Sequence, residues 1–340
     1  MPVYNVGRFI EDSVNSVLKQ STKEGPLEFI IVDDGSTDEC PQIIDNLIGN
    51  YNGDIECHVV HKVNEGVGKA RNTALDMATG GWIMFIDSDD KLEDDAIAIF
   101  RKYMIKTPNA DYFQASAYDI AVDEGIEARP EHYTMDRFLD EYKGIDALHF
   151  LYVAKQGPHV TPWAKLYKKS IIGGRRFVGR LKSSNDFEFN MRVWKNVRHA
   201  VCIKEYVYTR NRRAGSIICG GTKCEQMFRD EATILKQCIK WFNSIDFTKV
   251  TRIELDNFRY ILCRYMTHAA WVYKTRVGEG LSFIPFPNEI QVGLEKIFEV
   301  LKVPKIKEWY ENLAADPLKK TKKIIDYQKT LRDKEVFSEK

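Results

Sequence analysis

The chain has 340 residues, 44% of them hydrophobic and 12% aromatic, enough for one large or two medium domains with a well-formed core. A formal net charge of +1 excludes a generally basic nucleic-acid binder and an acidic tail protein. Seven cysteines without a CxxC pair exclude a disulfide framework and a zinc site, and read as reduced thiols. No apolar run approaches the roughly 18–20 residues of a membrane span, and Met1–Asn5 has neither the basic nor the apolar region of a signal peptide. The expected location is the cytoplasm, with peripheral contact at the inner face of the membrane as a variant.

Taken in order, Ile10, Val14, Val17 and Leu18 stand at helical spacing and predict an amphipathic helix over about 7–20. Glu28 to Val32 predicts a short strand running into Asp33-Asp34-Gly35-Ser36-Thr37-Asp38. Asp38 is placed to cap the next helix, which has Pro41 in its first turn and Ile43, Ile44, Leu47 and Ile48 on its buried face. Glu56 to Val60 predicts a third strand. After Asn64-Glu65-Gly66 comes a helix whose small residues Ala70, Ala74 and Ala78 allow close packing on a sheet, and which stops at Gly80-Gly81. Trp82 to Ile86 is an apolar run ending in Asp87-Ser88-Asp89-Asp90, which predicts a strand buried on both faces with carboxylates at its carboxyl end. A helix follows from about Asp94 to Lys106. The alternation predicts an α/β fold with a mostly parallel central sheet flanked by helices. Neither GxGxxG after the first strand nor GxxxxGK[ST] is present.

Further on, Tyr112–Ala117 predicts a strand, residues 119–144 a polar excursion and Ile145–Val153 a helix. Thr161–Tyr167 is turn-rich and holds Trp163 and Lys165, and Ser170–Gly174 reads as a short helical turn. A helix after Asn185-Asp186 places Phe187, Met191 and Trp194 on one face. Ala200–Ile203 and Tyr206–Arg210 read as two short strands, the second leading into a basic, glycine-bearing loop, Asn211–Ser216. From about Thr222 the pattern is helical, with apolar faces over Met227–Phe242, Thr251–Lys274 and Ile290–Leu301. The segment Leu318–Lys334 carries seven Lys or Arg against two Asp, and reads either as a solvated tail or as a contact with anionic lipid. His61, His159, His199 and His268 show no paired spacing and are given no metal role.

Crowded carboxylates repel one another unless a cation lies among them. Asp87, Asp89 and Asp90 are therefore either hard oxygen ligands for Mg²⁺ or Mn²⁺ beside a phosphorylated ligand, or a solvated acidic turn opening the next helix. The order of the motifs narrows this. Pro2-Val3-Tyr4-Asn5, Ile31–Asp38, Asn64-Glu65-Gly66 with Ala70-Arg71-Asn72, Asp87–Asp90, Trp163–Tyr167, Asn185–Phe189, and Tyr208-Thr209-Arg210 leading to Gly215-Ser216 together resemble family 2 glycosyltransferases of the GT-A fold over about residues 1–217.

That resemblance implies inverting transfer of a sugar from a nucleoside-diphosphate sugar to a glycan or lipid-linked acceptor in cell-surface polysaccharide synthesis. It implies a catalytic domain over 1–217, with residues 218–340 as a helical C-terminal region, and it leaves homodimerisation open. Pro2, Tyr4, Asp33, Asp34, Asn64, Arg71, Asp87, Arg210 and Arg212 are expected at the donor: Tyr4 stacking on the base, Asp33 hydrogen-bonding it, and Arg210 and Arg212 on a loop over the diphosphate, with Gly215 as its hinge. Asp89, with Asp87, is expected to hold Mn²⁺ or Mg²⁺. Asp186 is the expected catalytic base and Glu188 its substitute. Trp163 is either ordinary core or an acceptor platform with Lys165 behind it. The family pattern reads Glu-Asp where this chain has Asn185-Asp186, and it has an apolar strand before Pro-Val-Tyr-Asn where this sequence begins at Met1. The expectation is a gap or substitute segment in the sheet, or impaired donor binding. A sugar nucleotidyltransferase and a non-catalytic nucleotide-sugar-binding protein are the rival readings.

Overall fold

Short apolar runs followed by amphipathic stretches form βα units from the first residue. In the computed structural model, which describes residues 1–128, 133–153, 160–179, 181, 183–213, 224–278, 286–304 and 307–308, the first strand is β1 (Pro2–Val3). It is followed by α1 (Gly7–Leu18), β2 (Glu28–Asp33), α2 (Cys40–Gly49), β3 (Glu56–His61) and α3 (Val67–Met77). Asp38 stands one residue before the N-cap of α2, and its carboxylate accepts from the first N–H of both early helices, Gly7 at 2.9 Å and Cys40 at 3.1 Å. The three strands pair in parallel in the order β1-β2-β3.

A second, mixed sheet holds β4 (Trp82–Met84), β5 (Lys91–Leu92), β6 (Tyr112–Ala121), β7 (Glu141–Lys143), β8 (Lys165–Lys168) and β9 (His199–Arg212). Its order is β4-β8-β6-β9-β5, with β7 also on β9; β6 and β9 run parallel and the other pairs antiparallel. Among the described residues no strand pairing joins the two sheets. They share one apolar core instead, with Val3, Ile10, Val14, Phe29, Ile31, Ile44, Ile86, Phe100, Phe113 and Val201 among its buried members.

The differences from the sequence reading have physical causes. The apolar run at 82–86 pairs only through Met84, at an edge of the sheet, where Trp82 and Met84 stay half-buried. The polar stretch after 118 lengthens β6 because Asp119 lies opposite Arg210 in register, and β7 adds a strand to the expected excursion. Thr161–Tyr167 contributes β8 rather than turns alone. One long β9 replaces the two short strands.

The remaining helices are α4 (Ala96–Lys106), α5 (Ile145–Val153), α6 (Lys169–Ile172), α7 (Asn185–Trp194), α8 (Cys224–Phe242), α9 (Arg252–Gly278) and α10 (Asn288–Leu301). The chain divides into two units. One takes in Met1–Ala147, Pro158–Arg180 and Asn185–Gly221; the other takes in Leu148–Gly157, Leu181–Ser184 and Thr222–Lys340. In the second unit α8, α9 and α10 bury Ile234, Leu235, Leu262, Met266, Ile290 and Leu294. Thr251 and Glu254 form a reciprocal cap at the start of α9. No helix among the described residues is long and apolar enough to cross a membrane. The basic segment 318–334 lies outside the described residues.

Phe113, on β6, is fully buried with its ring 5.4 Å from that of Trp82. Phe113→Ala is expected to lower unfolding free energy by about 3–5 kcal/mol, measured by urea denaturation.

Candidate active site

After β4, Phe85 and Ile86 remain in the core and the chain turns sharply, so the three aspartates part company. Asp90 is turned inward. Its Oδ2 accepts from the Tyr208 hydroxyl at 2.7 Å and its Oδ1 from the Asn211 N–H at 2.8 Å. The same hydroxyl accepts from the Asp87 N–H at 3.1 Å. Burial, reinforced by the charges of Asp89 and Asp87, pushes the Asp90 carboxyl well above the usual carboxylate range. Asp90 therefore anchors the turn to β9, and Asp87 and Asp89 are left to line the site.

Arg71 reaches across from the second turn of α3. Its Nη2 donates to Asp87 Oδ1 at 2.8 Å and its Nη1 to Asp186 Oδ1 at 2.6 Å. The guanidinium is 4% exposed and lies 5.1 Å from the centre of the Phe177 ring. Asn72 fixes Phe177 by a two-way bond to its backbone, at 2.7 and 2.9 Å. Gly68 lets the start of α7 approach: a Cβ there would fall 2.5 Å from Asn185 Nδ2. Asp186, in the first turn of α7, is 30% exposed at its side chain. Burial of the rest, helped by the charge of Asp87, raises its pKa against the opposing pull of Arg71. Burial lowers the pKa of Lys165 to about 7, while the charge of Asp186 acts to raise it. Asp89 Oδ2 accepts from Arg213 Nε at 2.8 Å; burial and then Asp87 raise its pKa.

A second group gathers at the carboxyl end of β2. Asp33 Oδ1 accepts from the Ser36 N–H at 3.0 Å, and Oδ2 lies 2.9 Å from His61 Nδ1. Asp34 accepts from the N–H groups of Glu65 and Gly66 and from Lys62 Nζ. It thereby folds the Asn64 turn back over Gly35, whose φ of +75° and 2.8 Å approach of a would-be Cβ to Asn64 N require glycine. Asn5 accepts from the Thr37 N–H at 2.8 Å and ties Pro2 and the exposed Tyr4 to this turn.

Several expected roles change with the geometry. Arg210 and Arg212 lie on β9, not on a loop. Residues two apart share a strand face, and both arginines turn inward to Asp119, at 3.4 and 3.6 Å. The Gly215 hinge lies outside the described residues. Arg213, which the sequence reading did not single out, is the β9-end cation beside the acidic turn. Trp163 is 3% exposed, stacked on Tyr208 at 4.9 Å and edge-on to Tyr133, so its core reading is the one the packing supports. Lys165 is 1% exposed and bonds the Trp163 carbonyl at 3.3 Å. Glu188 is fully buried, with Oε2 2.6 Å from Arg192 Nη2, and does not substitute for Asp186. Tyr208 stood in the Tyr208-Thr209-Arg210 motif without a role of its own, and His61 had no local signal beyond its residue type.

Among the described residues no three His, Cys, Asp or Glu side chains converge on one metal position. Asp87 and Asp89 still fit one: each gives only one of its oxygens to an arginine among the described residues, and Mg²⁺ is commonly held by one or two carboxylates with phosphate oxygens and water.

The family model for glycosyl transferase family 2 matches residues 1–174. The chain belongs to this family and is a glycosyltransferase with the GT-A fold. It is 27% identical over 222 residues to the glycosyltransferase GlyA of Streptococcus pneumoniae, a match covering 64% of this chain and 30% of that protein. Residues 1–349 of S. aureus TarS superpose with a TM-score of 0.61 at 19% identity, covering 98% of this chain and 88% of that one; TarS in complex with UDP-GlcNAc gives 0.56 at 18% identity, with 98% and 89% covered. The mannosyltransferase PcManGT of Pyrobaculum calidifontis, in complex with GDP-Man and Mn²⁺, gives 0.53 at 14% identity, covering 100% of this chain and 86% of that one.

Tyr208→Phe removes a hydroxyl that serves both Asp90 and the Asp87 N–H. It is expected to cost about 1–3 kcal/mol of stability, read from the urea midpoint; an unchanged midpoint would remove Tyr208 as the anchor of the turn.

Proposed function

We propose that this glycosyltransferase transfers a sugar, with inversion, from a nucleoside-diphosphate sugar to a hydroxyl of a glycan or lipid-linked acceptor in cell-surface polysaccharide synthesis, and that residues 1–217 carry the chemistry. The observation that supports it most is the Arg71 bridge, which sets Asp87 and Asp186 on the two amino nitrogens of one guanidinium. The solved complexes with UDP-GlcNAc and with GDP-Man and Mn²⁺ are in keeping with a donor of this class and a divalent cation.

In this reading Asp33 accepts a hydrogen bond from the base and Tyr4 offers its open ring face to it. Asp186 takes the acceptor hydroxyl's proton while that oxygen bonds to the anomeric carbon, on the face opposite the diphosphate. The bond from the anomeric carbon to the diphosphate oxygen breaks, and its electron pair leaves with the diphosphate. A Mg²⁺ or Mn²⁺ ion held by Asp87 and Asp89 would supply neutralisation of the leaving group's charge. Arg71 keeps Asp186 oriented, and burial makes that carboxylate a stronger base than an exposed aspartate. Arg213, which pairs with Asp89, meets the diphosphate in this reading.

Asp186→Asn retains an acceptor for Arg71 but removes the base. It is expected to lower kcat by about 10²–10⁴-fold while nucleotide binding persists, as measured by Mn²⁺-dependent UDP or GDP release from a panel of donor sugars. Release of pyrophosphate would instead indicate a nucleotidyltransferase, and binding without turnover for any donor a non-catalytic protein. Because the Asp186 pKa is raised, its base form is lost at a higher pH than for an ordinary aspartate. The rate of the wild type is therefore expected to fall as pH drops through that raised value, and this limb should be missing from the residual activity of Asp186→Asn.

A further inference from the structure

We propose that His61, as the imidazolium, is a positioning residue for Asp33 that makes capture of the donor's base pH-dependent; this rests on the reading of Asp33 as the group that bonds the base. His61 ends β3 directly opposite Asp33 in the parallel register of β2 and β3. Its Nδ1 lies 2.9 Å from Asp33 Oδ2 and its Nε2 lies 3.1 Å from Asp45 Oδ1, on α2. Ionised carboxylates only accept. A neutral imidazole has one N–H and one lone pair, so it satisfies one of these contacts and sets a lone pair against the other carboxylate. The imidazolium satisfies both.

The surroundings bear this out group by group. Asp33 and Asp45 are the charged groups that face the ring; the hydrogen bond to Asp33 is the largest influence on it and acts with Asp45 to raise the His61 pKa. Asp34 directs its oxygens to Lys62, Glu65 and Gly66 instead. The Cys40 thiol senses the charge of Asp33, but burial pushes it up to about 12, so it stays neutral. Asp33 itself is buried, with one oxygen fixed by the Ser36 N–H and the other by His61. Among the described residues no other hydrogen bond to that second oxygen sets its direction. As pH rises through the raised His61 pKa, the charge-assisted bond is lost, Asp33 is left less firmly oriented, and the base is held less well. The effect falls on the base and not on the phosphates.

The test measures calorimetric binding of UDP and of GDP, each with Mn²⁺, between about pH 5.5 and 9, with Mn²⁺-pyrophosphate as the base-free probe. The side chain of His61 is 40% exposed, so the expected loss of affinity for the preferred nucleotide is at the low end for a charged hydrogen bond, about five-fold, with no matching step for pyrophosphate. His61→Gln should bind that nucleotide as weakly at low pH as the wild type does at high pH, and without the step. Asp45→Asn removes a group that raises the His61 pKa and touches neither Asp33 nor Ser36, so it should move the step to lower pH. Asp33→Asn separates the two readings. If it leaves nucleotide affinity unchanged, the base-binding role of Asp33 fails and the proposal falls with it. If it weakens binding while His61→Gln keeps the pH step, or Asp45→Asn leaves the step in place, the role of Asp33 stands and that of His61 is overturned. Unchanged far-UV circular dichroism keeps loss of folding apart from either outcome.

Discussion

A guanidinium withdrawn from water has to be matched by negative charge held in place, and in this protein that constraint organises the site. Arg71 is buried between the acidic turn and the start of α7, and its two ion pairs draw together residues that are far apart in the chain. Breaking one side of such an arrangement strands a buried charge, at a cost of about 3–5 kcal/mol. The surrounding features serve the same requirement. Gly68 permits the approach, Asn72 fixes the aromatic wall, and Phe177 offers its ring to the cation. The acidic turn, pulled inward by Tyr208 and Asn211 through Asp90, presents Asp87 at the right depth to complete the pair.

Much of this was legible in the chain. Period and punctuation located the βα units up to α4, because strands buried on a shared core and helices with one apolar face leave strong local patterns. The order of short motifs pointed to the family, and Arg71, Asp87 and Asp186 to one site. Burial, however, is decided by partners that sequence does not display. Arg210 and Arg212 precede a glycine-bearing basic stretch and so read as loop cations. Only the parallel pairing of β6 with β9 supplies the buried carboxylate of Asp119 that draws them inward. Trp163 in a polar, turn-rich setting read as a surface platform as readily as core, until the plane of Tyr208 covered it.

The same limit hid Tyr208 and His61. Each works through an atom whose partners come from distant parts of the chain; Tyr208 was legible only as a member of a motif, and His61 stands in no pattern that would single it out. Asp90 is the converse case. Its neighbours in sequence place it in a metal cluster, yet both of its oxygens are committed to β9. Three adjacent acids of similar appearance thus divide into one structural anchor and two that face the site, and the division follows from side-chain direction alone.

The break between the two sheets has a consequence of its own. The group around Asp33 rides on the parallel sheet and that around Asp87 and Asp89 on the mixed one, and among the described residues no backbone ladder ties them together. In the proposed reading, a substitution beside β2 or β3 is felt at the reacting end through side-chain packing in the shared core and through the ion pairs of Arg71, not through a strand ladder.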